Sequence, residues 1–122
     1  MPSLDRKAKL RCALQAAFDQ KAQELIVLNV STLSSFTDYF VICHGESHRQ
    51  VGGIARHIEE KMRSAGYKPL GIEGSTEGQW ILMDYDDVVI HVFLKSVREF
   101  YDLERLWMDA PRVTLDDELS LR

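Results

Sequence analysis

Tyr39-Phe40-Val41-Ile42-Cys43-His44-Gly45-Glu46-Ser47-His48-Arg49-Gln50-Val51 is the stretch whose reading decides the fold. Its first five residues are an unbroken apolar, β-rich run, of the kind found where both faces of a strand are covered. Ser47 and Gln50 then stand at capping-box spacing, and Val51, Ile54, Ala55, Ile58, Met62 and Ala65 recur with a helical period until Gly66. A strand that runs into a helix and is followed by Leu70-Gly71-Ile72-Glu73 predicts a right-handed parallel crossover. Gly52 and Gly53 interrupt the helix. Each interior glycine costs about 1 kcal/mol relative to alanine, so the pair predicts tight packing against the first turn.

Working outward, Leu25-Ile26-Val27-Leu28 reads as a second central strand. Before it, Leu10, Leu14, Ala17 and Phe18 share one face of a helix from Leu4 to Phe18, with Ser3 as its cap. Downstream, Trp80 to Met83 and Val88 to Leu94 predict an antiparallel hairpin around Asp84-Tyr85-Asp86-Asp87. A second capping box, Ser96-Val97-Arg98-Glu99, predicts a last helix with Val97, Phe100, Leu103 and Trp107 along one side, ending near Met108 or Asp109 before Pro111. The fold class is therefore α/β, a mixed sheet of about five strands covered by helices. Residues 1–113 read as a single domain, and residues 114–122, with Asp116-Asp117-Glu118, as an acidic and loosely attached tail.

Composition narrows the function. At 122 residues and 45% apolar, the chain builds its own core. No apolar run approaches the roughly 20 residues of a membrane span. The first residues resemble neither a secretory leader nor a mitochondrial presequence, so a cytoplasmic address is expected. Cys12 and Cys43 lack metal-type spacing and read as buried thiols. Asn29-Val30-Ser31 has the form of a glycosylation acceptor, but it adjoins an apolar strand and is discounted. A net charge of −4 lacks the footprint of a protein that grips phosphate backbones, so no sequence-specific nucleic-acid binding is expected. A basic protein is the easier partner.

Three constellations have chemical content. Asp84 and Asp86 could flank a divalent ion in nucleotidyl transfer, with Gly45 and Ser47 holding phosphate before a helix. That is the enzyme alternative. The opposing reading is a hairpin turn that uses aspartate's own turn chemistry, and no third carboxylate or phosphate-binding lysine stands near Gly45. His44, His48, His57 and His91 invite a metal site. Cys43 and His44, however, point to opposite faces of one strand, and no metal or other cofactor is expected. His91, in phase with Val89 and Phe93, reads as a hydrogen-bonded structural group. The last helix carries Arg98, Tyr101, Asp102, Glu104 and Arg105, which fit either a solvated face or a binding face; periodicity leaves both open.

Six ordered segments resemble the ribosomal silencing factor, or Iojap-like, family. They are Asp38-Tyr39-Phe40-Val41-Ile42, Arg49-Gln50-Val51, Lys68-Pro69 with Glu73-Gly74 and Glu77-Gly78-Gln79-Trp80, Asp84-Tyr85, Val89-Ile90-His91-Val92-Phe93, and Arg98 through Trp107. The resemblance implies a nucleotidyltransferase-like architecture without catalytic residues, a homodimer, and no enzymatic activity. It also implies a factor that binds large-subunit ribosomal protein fourteen and sterically blocks association of the two ribosomal subunits, repressing translation. The partner-binding residues it implies are His91, Phe93, Arg98, Tyr101, Asp102 and Glu104, while Trp80 and Trp107 match the pattern as either core or interface. Cys43-His44 depart from the family's usual small residues, as do Glu46 from threonine and Gly53 from alanine.

Overall fold

The computed structural model describes residues 2–115 and the side chains of residues 7–115; most of the expected acidic tail lies outside the described residues. The elements follow in the order α1 (Pro2–Asp19), β1 (Gln23–Asn29), β2 (Tyr39–Gly45), α2 (His48–Ser64), β3 (Gly71–Glu73), β4 (Trp80–Asp84), β5 (Val88–Leu94), α3 (Lys95–Tyr101) and α4 (Leu103–Leu106). The strands form one mixed sheet in the order β1-β2-β5-β4-β3. β2 and β5 are parallel neighbours, and every other pair is antiparallel.

Two expectations about the strands change. The crossover from β2 through α2 reaches a strand of the same direction, β3, but β5 and β4 lie between them. The hairpin folds back so that β5 takes the place beside β2, pairing from Tyr39 opposite Val88 to Gly45 opposite Leu94. A three-residue β3 could not supply that ladder. The other change is β1, expected to be central, which stands at the sheet's edge. Its apolar run is explained by cover on both faces, and its outer rim is closed by backbone. Asn29 N–H donates to Pro111 O at 2.8 Å, Val113 N–H donates to Val27 O at 2.9 Å, and Leu28 bridges Arg112.

Period-2 alternation sorts the sheet's side chains onto two faces. Val27, Val41, Cys43, Ile81, Met83, Ile90 and Val92 pack with α1 and α2 in the larger core. α2 earns its place by the predicted stripe, with Val51, Ile54, Ala55, Ile58 and Met62 buried. Ser47 Oγ accepts from Gln50 N–H at 3.1 Å, and the Gln50 side chain accepts from Glu46 N–H at 2.7 Å, one residue upstream of the usual box partner. The helix closes in a Schellman turn: Gly66 adopts φ +93°, and Tyr67 N–H reaches Met62 O at 2.8 Å. Ala65 is thereby the cap and is exposed, so the stripe ends at Met62. No close packing accounts for the glycine pair. A Cβ on Gly53 would meet nothing within 4 Å, and one on Gly52 only the Arg56 guanidinium at 3.7 Å.

α1 starts earlier than expected, with Pro2 at its first position and Ser3 already inside the helix. Leu10, Leu14 and Ala17 are buried but Phe18 is exposed, because Ala13 and Ala16 extend the buried arc along the helix and leave Phe18 outside it. The larger revision falls at the carboxyl end, where the single expected helix is two. Asp102, at φ +49°, breaks it between α3 and α4. Ser96 lies inside α3 and does not cap it; Leu94 holds the cap position without a side-chain bond. Helical phase is lost across the break, so Leu103 is buried while Phe100 turns outward.

Candidate docking surface

The second sheet face is only partly covered. Leu28, Ile42 and Phe93 pack there with Leu103 and Ala110, joined by the half-buried Phe40, Trp80, Val97 and Trp107. Beyond this cover a groove of about 520 Å³ opens, with Phe40, Leu82, Val89 and His91 on its floor and Phe36 and Trp107 on its sides. Phe36 is 88% exposed, and Leu106 and Met108 are also large apolar groups facing solvent.

Aromatic rings tie the floor to the helical cover. Phe40 meets Trp107 edge-on at 5.0 Å and His91 edge-on at 4.9 Å. Trp80 lies 4.8 Å from Phe93 and 5.1 Å from Tyr101, and Phe100 stands edge-on to Tyr101 at 5.1 Å. These geometries suit ring quadrupoles and leave Tyr101 54% exposed with one side supported.

The six residues implied by the resemblance divide. Phe93 is buried in the core beneath the helical cover, and His91 is a buried residue of the groove floor. Trp80 Nε1–H donates to His91 Nδ1 at 3.1 Å, which places the histidine proton on Nε2, and burial pushes the His91 pKa down to about 4. It is a neutral structural group at ordinary pH. Arg98 is also inside the fold, only 7% exposed, rather than on the surface. Its Nη2 binds Glu104 Oε2 at 3.0 Å, and its Nη1 donates to His44 Nδ1 at 2.9 Å and to Gln23 O at 3.4 Å. Glu104 is consequently engaged from within and is no free carboxylate. Tyr101 and Asp102 are the pair that the elbow between α3 and α4 presents outward. Asp102 has an Arg105 partner at 3.8 Å, an exposed contact of little energetic value.

Sequence reasoning missed Phe36, Phe100, Leu106 and Met108 as surface groups. For Phe100 the reason is the break at Asp102; for Phe36 the only available signal was a large aromatic among Ser34, Ser35 and Thr37 in a turn-rich segment.

The other constellations resolve into structural uses. Asp84 Oδ1 accepts from Asp86 N–H at 2.9 Å, Asp86 adopts φ +75°, and Asp87 binds Lys9 at 2.7 Å. The Asp84 and Asp87 carboxylates build and anchor the hairpin turn, and the Asp86 backbone forms its corner. Among the described residues no group of three or more His, Cys, Asp or Glu side chains is placed to hold a metal ion. Cys43 is buried and its thiol is pushed up to about 12 by that burial, while Cys12 is only half-buried.

Comparison with known proteins gives a consistent result. Residues 3–122 match the family model described as ribosomal silencing factor during starvation. The ribosomal silencing factor RsfS of Bacillus subtilis is 42% identical over 113 residues, 93% of this chain and 96% of that protein. A crystal structure of a Chromobacterium violaceum protein superposes with a TM-score of 0.80 at 38% identity, covering 82% of this chain and 83% of the other. A more distant relative, the mouse mitochondrial assembly of ribosomal large subunit protein 1, is 34% identical over 83% of this chain and 44% of its own length.

Proposed function

Because the chain belongs to the ribosomal silencing factor family, we propose that it docks on the large ribosomal subunit through ribosomal protein fourteen and sterically blocks joining of the small subunit. The observation that carries this reading is the half-covered sheet face with its aromatic groove and the Tyr101-Asp102 elbow beside it. Exposed aromatic groups backed by packed neighbours are the usual anchors of protein interfaces, and an acidic rim suits a basic ribosomal protein by steering and orienting encounter. Residues 1–113 form the docking domain in this reading, with the acidic tail from 114 onward attached to it. In this reading the working place is the cytoplasm.

The large exposed apolar groups also support self-association as a homodimer. Nucleotidyl transfer by Asp84 and Asp86 gains no support, because the Asp84 carboxylate is engaged by the Asp86 backbone in the turn.

The test uses purified ribosomal subunits. The protein should co-sediment with large subunits and slow joining as followed by light scattering. Tyr101→Ala should weaken binding by about 1 to 3 kcal/mol at any salt concentration, whereas Asp102→Lys should weaken it chiefly at low salt. Failure to bind large subunits, or binding that leaves joining unchanged, would sink the silencing reading. Folded variants that inhibit like the parent would show that another face does the docking.

A further inference from the structure

The elbow that carries Tyr101 and Asp102 is short, with Val97 before it and Leu103 after it packed onto the sheet. α3 has seven residues, α4 has four, and the residue between them is a non-glycine in a left-handed conformation. Helices this short do not persist alone. What spans the break is Arg98: it lies four residues before Asp102, and its Nε and Nη2 both reach Glu104, two residues after it, at 3.3 and 3.0 Å. The guanidinium is thus a staple across the bend, and its remaining arm points into the sheet at His44.

His44 stands at the end of β2 and is 2% exposed. A guanidinium can only donate, so Nδ1 must be the unprotonated nitrogen and the proton sits on Nε2. Nε2 has no hydrogen-bond partner and lies 3.9 Å from Oε2 of Glu24, an exposed carboxylate on a residue with φ +46° where the β1 ladder is irregular. The charged groups around His44 oppose one another. Arg98 and Lys95 from α3 disfavour a second cation, while Glu24 from β1 and Glu46 after β2 favour it; burial is the largest influence and holds the His44 pKa below its ordinary value. Glu104 of α4 faces the same guanidinium from the far side.

We propose that His44 and Arg98 are positioning residues for docking: neutral His44 accepts a hydrogen bond from Arg98 and so holds the guanidinium across the α3–α4 bend, presenting Tyr101 and Asp102. The inference rests on the docking reading above. When His44 takes a proton at Nδ1, that nitrogen can no longer accept from Arg98, and its cation sits against the guanidinium. The Nε2–H has Glu24 to turn to, so the acid form has a partner that draws the ring away from the staple.

The experiment measures co-sedimentation of the full chain with large subunits between about pH 7.5 and about pH 5, with the change expected in the acid part of that span because burial holds His44 below the ordinary histidine value. Wild type should bind roughly tenfold more weakly at the acid end, within the usual range of coupling between a switch and a binding site. His44→Asn places a non-titrating acceptor near the Nδ1 position. It should bind like wild type at the upper end and lose most of the pH dependence. His44→Leu should be weak throughout and flat.

A wild-type profile that stays flat while binding is intact overturns the proposal and leaves the docking reading standing, as does a His44→Asn profile as steep as wild type. No binding at any pH is failure of the docking reading itself. Should either variant fail to fold, the Arg98 side-chain N–H resonance of wild type decides. It should shift or broaden in step with the His44 titration, and a resonance indifferent to that titration overturns the proposal.

Discussion

At the scale of single residues, buried polar groups and glycines set the sharpest expectations. His91 is accommodated neutral, with its pKa lowered to about 4 by burial from an ordinary value near 6.5. Above pH 6.5 folded and unfolded chains carry the same charge there. As pH falls below it the unfolded chain takes the proton first, so about 3 kcal/mol of stability should be lost by pH 4, with His44 pulling in the same direction. Urea midpoints across that window should fall steeply for wild type and less for His91→Gln; equal slopes would place the titration elsewhere. Two glycines should respond with opposite signs. Gly74 has φ +86°, and a Cβ there would lie 2.1 Å from Trp80 O, so Gly74→Ala should cost at least about 2 kcal/mol. Gly53, with open space around it, should gain about 0.5 to 1 kcal/mol as alanine, and thermal melts of the two variants check both. The structural role of His91, the Ser47 cap and the turn use of Asp84 were legible in the sequence, because each follows from neighbours within a few residues. The burial of Arg98 was not, since its partners His44 and Gln23 are 54 and 75 residues away.

At the scale of elements, long periodic segments declared themselves and junctions did not. The existence and extent of α2 were readable because its stripe, cap and terminal glycine agree, while the end of its stripe at Met62 and the open surroundings of Gly53 were not. The last helix was misread as one piece, because an aspartate in a left-handed conformation leaves no mark that distinguishes it from an ordinary surface aspartate. The edge position of β1 was hidden for a related reason: a run covered on both faces looks alike in the middle of a sheet and at its rim. The staple across the α3–α4 bend should be measurable without any partner. Arg98→Met keeps the aliphatic stem but removes the bonds to Glu104 and His44. It should lower stability by about 2 to 3 kcal/mol, moderated because Glu104 can rehydrate. Amide exchange at Leu103 to Leu106 should accelerate more than exchange in β5; a uniform change would mean that Arg98 supports the whole core and not the bend.

At the scale of the whole molecule, the sheet separates a face committed to folding from a face left for company. α1 and α2 close the first, while the second keeps an aromatic groove that the fold itself does not fill. The existence of two faces followed from alternation in the strands; the openness of one of them depended on where α3 and α4 end, which no local pattern fixes. Self-association should appear as a dimer in light scattering at about tens of micromolar, and monomer alone at that concentration would count against it. The strip at 111–113 laid along β1 sets how the molecule behaves in a crowd. An uncovered strand rim is a template on which other chains polymerise, and here the Val27–Asn29 part of one rim is covered by that strip while the opposite one, β3, offers only three residues. Edges of this kind favour recognition through side chains over strand-to-strand growth. A chain cut after Ala110 would bare the Val27 carbonyl and the Asn29 amide, and its solutions should turn turbid with a cross-β signature where the intact protein stays clear.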